Sequence, residues 1–90
     1  MRTVWKYDLQ MTAVQVIVMP TGATPVAVNV QRSFPRLWAI VDPESETPGR
    51  ERTFRIVGTG HPEVQESDRY IGTFFTQDGD FVWHVFEVIT

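Results

Sequence analysis

The apolar residues of this chain recur at every second position, and that period constrains the fold more than any other feature. Val26, Val28 and Val30 alternate with Ala27, Asn29 and Gln31. Trp5, Tyr7 and Leu9 alternate with Lys6 and Asp8, and Phe54 and Ile56 alternate with Thr53, Arg55 and Val57. Successive side chains of a strand point to opposite faces, so these runs read as half-buried β-strands. Leu37, Ala39 and Val41 alternate with Trp38 and Ile40, which predicts a strand covered on both faces. Residues 70–76 and 81–89 are rich in aromatic and β-branched side chains, which suit a pleated surface. The one stretch that departs from this pattern is 10–15, where Thr12 is placed to cap a single helical turn before the Val16 run.

Turn residues fall between these runs. Pro20-Thr21-Gly22 ends the second, Ser33-Phe34-Pro35 separates the third from the fourth, and Asp78-Gly79 is the clearest hairpin signal. Two longer loops are expected, one at 42–51 with Pro43, Pro48 and Gly49, the other at 58–69 with Gly58, Gly60 and Pro62. The whole reads as an all-β fold, a small antiparallel sandwich or partly open barrel of about seven short strands. A single β domain over residues 1–90 is expected, with no repeat and no low-complexity segment.

A chain of 90 residues buries a limited core, and this one has no cysteine with which to staple it. Disulfides, thiolate metal sites and a cysteine nucleophile are therefore excluded. Eleven aromatic residues are more than one such core hides. Together these features predict a homo-oligomer, with a dimer favoured. Strand 81–89 is apolar on both faces, and Phe81, Trp83 and Val85 are the expected interface residues.

The net charge is −3 and no block of Lys or Arg stands out, which disfavours bulk attraction to nucleic acid or an anionic membrane. The longest apolar runs, such as Val16-Ile17-Val18-Met19, are too short to span a bilayer. Arg2, Lys6 and Asp8 interrupt the N-terminal residues where a signal peptide would be apolar, so a cytosolic location is expected.

Candidate chemistry is sparse. His61 sits in Gly58-Thr59-Gly60-His61-Pro62, a Gly-rich loop after a strand, but no helix start with Lys and Ser/Thr follows. His84 lies inside the last strand on the face of Val82, Phe86 and Val88, where a histidine held by a backbone carbonyl is expected. Neither H-x-H nor H-E-x-x-H spacing occurs, and no serine stands in G-x-S-x-G, so no catalytic residue, metal ligand or cofactor is assigned. Arg50, Arg52 and Arg55 lie close together, with Arg52 and Arg55 of opposite strand parity. They are expected to form a solvated edge with Glu44, Glu46 and Glu51.

One constellation has the chemistry of a ligand site. Trp38 offers a π face for a base, and Arg36 lies two residues away on the same strand face with a fixed charged fork for a phosphate. Backbone N–H groups of the loop carrying Gly58, Gly60 and His61 are expected to complete the contacts to a small nucleotide. The bland alternative has Trp38 packing beneath a loop and Arg36 solvating a hairpin end.

Thr3-Val4-Trp5-Lys6-Tyr7, Leu37-Trp38-Ala39-Ile40-Val41-Asp42-Pro43, the segment from Thr53-Phe54-Arg55 to Gly60-His61-Pro62, Tyr70-Ile71-Gly72-Thr73-Phe74 and Val82-Trp83-His84-Val85-Phe86-Glu87 succeed one another in this order. In this the chain resembles a small uncharacterised family encoded in tailed phages, prophages and bacteria. The resemblance implies context rather than mechanism, because the family has no assigned activity. With that context and no catalytic motif in the chain, the leading expectation is a non-enzymatic accessory binding protein of a phage or prophage, acting against host defence on a protein partner or by sequestering a nucleotide signal. A structural virion or assembly protein is the alternative, and a small enzyme using His61 and His84 is the third reading.

Overall fold

A computed structural model of the chain describes residues 1–45 and 49–89. Glu46 and Pro48, which the sequence placed in the loop at 42–51, lie outside the described residues. Seven strands run in order: β1 (Thr3–Asp8), β2 (Val14–Met19), β3 (Thr24–Gln31), β4 (Phe34–Val41), β5 (Arg50–Gly58), β6 (Arg69–Thr76) and β7 (Phe81–Glu87). They form two antiparallel sheets, β1-β4-β3 and β2-β5-β7-β6. The sheets pack as a sandwich and do not close into a barrel.

The core between them is built from the predicted alternation. Leu37, Ala39 and Val41 of β4 face Phe54 and Ile56 of β5, Phe74 of β6 and Val85 of β7, all buried. The opposite face of β4 carries Arg36, Trp38 and Ile40, each half-buried, so the second face of this strand is covered only in part. In segment 10–15 residues 11–13 form bends rather than a helical turn, and Val14 and Gln15 already belong to β2. There the Gln15 side chain accepts from the Gln10 N–H at 2.9 Å and donates to its carbonyl at 2.7 Å, holding the approach to β2.

Three local irregularities set how the strands meet. In β3 the register slips between Pro25 and Ala27, so Val26 is exposed while Val28 is buried. In β6 it slips between Tyr70 and Gly72, which moves Thr73 opposite His84. The third lies where the sheets meet, at β3 and β6. A Cβ at Gly72 would stand 2.8 Å from a Val28 methyl and 3.4 Å from the Val28 nitrogen, so only glycine lets the two strands come this close.

Arg50 and Glu51 are exposed as a solvated edge would be, but Arg52 and Arg55 are not part of one. Arg52 faces the interior, where its guanidinium forms a two-pronged pair with buried Glu87 and donates to the Ala23 carbonyl at 2.9 Å. Arg55, on the other face of β5, donates to the fully buried Asp68 carboxylate at 3.0 Å. The same carboxylate oxygen accepts the Gln65 N–H at 2.9 Å, pinning the β5–β6 loop over the outer face of its sheet. The opposite strand parity of the two arginines is the reason they part company.

Candidate cleft at the end of the four-stranded sheet

Where β5 ends, the chain turns back on itself, and the His61 N–H donates to the Gly58 carbonyl at 3.0 Å. Gly60 takes φ +88°, a conformation glycine adopts without steric cost. The turn lies beside the start of β7. Phe81 and Trp83, two residues apart on one strand face, stack with ring centroids 6.2 Å apart and planes 25° from parallel. The Trp83 indole N–H donates to the Thr76 hydroxyl at 2.9 Å, which fixes the ring. Gly58 sits beneath both walls: a Cβ there would touch the Trp83 ring at 3.4 Å and the His61 ring at 3.5 Å.

These residues enclose an open cleft of about 420 Å³ lined by Gly58, Thr59, His61, Asp80, Phe81, Val82 and Trp83. A smaller hollow of about 220 Å³ adjoins it, sharing Gly58, His61 and Trp83 and adding Met11 and Glu63. The His61 ring lies 3.7 Å from the Glu63 carboxylate. Asp80 has no side-chain partner among the described residues, and no Lys or Arg lines the cleft. The cleft therefore offers aromatic faces and an unpaired carboxylate, and it lacks the fixed cation a phosphate needs.

Behind Thr59 runs a chain of side-chain hydrogen bonds. The Thr59 hydroxyl lies 2.7 Å from Nε2 of His84, the Thr73 hydroxyl 2.9 Å from Nδ1, and the Tyr70 hydroxyl 2.6 Å from that of Thr73. His84 is thus held by two threonine hydroxyls and not by a backbone carbonyl. Chemically the row can share protons among hydroxyls and one imidazole. A nucleophile-and-base pair usually has a third group that orients the base and favours its cationic form. Here that place is taken by a neutral hydroxyl.

The sequence-predicted residues divide between two places. Gly58 and His61 line the cleft, and Gly60 shapes its turn. Phe81 and Trp83, expected at a subunit interface, form its opposite wall. Arg36 and Trp38 lie on the other sheet, facing away from the core. Arg36 pairs there with Asp8 and packs over the Phe34 ring, 5.6 Å from its centroid, so the nucleotide constellation is not assembled. Val85 is fully buried in the core of its own chain and is unavailable to any interface. Thr59 and Asp80 were given no role in the sequence; Thr59 lies inside the predicted glycine turn and Asp80 directly follows the Asp78-Gly79 hairpin signal. Among the described residues no group of His, Asp and Glu gathers as a metal ion requires.

Fold and cleft define a class, a small two-sheet β-sandwich with an aromatic, acidic cleft at one end. Within it, the chain belongs to the domain of unknown function DUF7352, whose family model matches residues 1–90. No curated protein and no solved structure matches the chain.

Proposed function

We propose that the protein is a non-enzymatic binding protein that engages a protein partner through this cleft, taking a basic side chain of the partner between Phe81, Trp83 and Asp80. The observation that carries this reading is the convergence of two stacked aromatic rings with an unpaired carboxylate and no cation. An Arg or Lys head over an aromatic face gains roughly 0.5–2 kcal/mol, and a nearby carboxylate adds a charge-assisted hydrogen bond. The net charge of −3 favours the approach of a basic surface. The neutral hydroxyl behind His84 supports the non-enzymatic reading.

Resemblance of the sequence segments supports a phage or prophage accessory role in the host cytosol, directed against host defence. Mass spectrometry of purified virions tests that setting. Absence from particles with expression soon after infection is the expected result, and stoichiometric presence would favour a virion role. The binding claim is tested by calorimetry with an arginine-rich peptide and with mono-, di- and cyclic nucleotides. The peptide is expected to bind wild type, and Asp80→Asn and Phe81→Ser are expected to lose binding while remaining folded. Binding of a nucleotide with no binding of the peptide would overturn the reading.

A further inference from the structure

We infer that β2 is a dimerisation strand, pairing antiparallel with β2 of a second copy so that Val16 opposes Val16 across a two-fold axis. Backbone hydrogen bonds fix which way each β2 residue turns its polar groups. Ala13 lies opposite Ile56 in the β2–β5 register, and the Ile56 N–H donates to the Ala13 carbonyl at 3.0 Å. Bonded and non-bonded pairs alternate along an antiparallel ladder. Gln15, Ile17 and Met19 therefore turn their backbone groups toward β5, and Val14, Val16 and Val18 turn theirs outward. The other side of β5 agrees, since the Val88 N–H donates to the Thr53 carbonyl at 2.8 Å, placing odd-numbered β5 residues against β7.

Val14, Val16 and Val18 also expose their side chains, at 50%, 55% and 60%. Among the described residues no strand pairs with their edge. Of their outward backbone groups, among the described residues only the Val14 carbonyl has a contact, accepting from the Thr12 hydroxyl at 3.3 Å, and a carbonyl oxygen has a second lone pair.

The other three sheet edges are defended in ways β2 is not. β3 and β6 run side by side, with Gly72 against Val28. The same bonding logic applied to β1, from the Leu9 N–H to the Pro35 carbonyl, turns Val4, Lys6 and Asp8 outward, so that edge carries charge. β2 reads VQVIVM, with no charge and no proline. Unprotected edges of this kind pair with another chain.

The partner is a second copy because the strand complements itself. A two-fold axis at Val16 sets Val14 opposite Val18 of the other copy, each pair exchanging two backbone bonds. Valine then meets valine on the outer face. The rows flanking the stripe set no like charges against each other, since Val14 is opposite Arg55 and Val18 opposite Glu51 in the β2–β5 ladder and Arg55 is already paired with Asp68.

The chain has no cysteine, so one introduced cysteine reports the register. Residues opposed in a bonded pair have Cα atoms about 5.5 Å apart, within disulfide range. Two copies of residue 14 would stand four residues apart along the strands, about 13 Å. Under mild oxidation Val16→Cys is expected to give roughly tenfold more covalent dimer than Val14→Cys. In sedimentation wild type and Val4→Lys are expected to run as dimers, and Val16→Lys as a monomer with an unchanged β-type circular-dichroism spectrum. A wild type that sediments as a monomer at high micromolar concentration, or equal cross-linking at positions 14 and 16, would overturn the inference.

Discussion

The Tyr7 hydroxyl is buried with no hydrogen-bond partner, and burial raises its pKa above the ordinary 10.0. The neutral phenol is therefore favoured in the folded state. The unfolded chain ionises first as pH rises, so the stability tied to Tyr7 is present below pH 10 and is lost above it. Tyr7→Phe removes both the orphan hydroxyl and the titration. Its melting temperature is expected to equal or exceed that of wild type at neutral pH, and its advantage to grow in thermal melts above pH 10. The Arg52–Glu87 pair behaves oppositely, because each partner satisfies the other inside the core. Glu87→Gln should cost roughly 3 kcal/mol in urea unfolding, and replacing both residues by apolar ones should cost far less. The sequence placed His84 on the right face but not its partners. Thr73 reaches it only because β6 slips register after Tyr70, and such a slip leaves no residue signature in that segment.

Strands were legible from alternation, and turns less so. The Asp78-Gly79 signal belongs to a four-residue connection, in which Gln77, Asp78 and Gly79 take φ of 52°, 55° and 91°. The tightest hairpin is Arg32-Ser33 between β3 and β4, with Gln31 opposite Phe34 and φ of 51° and 71°. Two residues at positive φ match the twist of a hairpin, but Arg and Ser are not the residues that usually take it. Ser33→Gly is expected to stabilise the protein by roughly 1 kcal/mol, read as a higher urea midpoint. Gly72→Ala is expected to destabilise it by roughly 1–3 kcal/mol, since the new methyl meets Val28. Part of that loss should return when Val28→Ala is added, and the part set by the Val28 backbone should remain.

At the scale of the molecule, alternation revealed the strands but not their order. β2 pairs with β5 and β1 with β4, connections that depend on which core faces meet and not on any local motif. That order is what separates the two halves of the expected nucleotide site, sending Arg36 and Trp38 to one sheet and the glycine turn to the other. It also brings Phe81 and Trp83 to the turn, so that residues expected at an interface become one wall of a cleft. Placing β2 at an edge has the same origin, since its apolar run reads equally well as a central strand.

Capture of a basic side chain by the cleft is tested most directly by residue-resolved NMR. Backbone and indole N–H resonances would be followed while an arginine-rich peptide, and separately a nucleoside diphosphate, is titrated in. The peptide is expected to shift Thr59, His61, Asp80, Phe81 and the Trp83 indole, leaving Arg36 and the Trp38 indole in place. A nucleotide that moves Arg36 and Trp38, with a peptide that moves nothing at the cleft, would contradict that role.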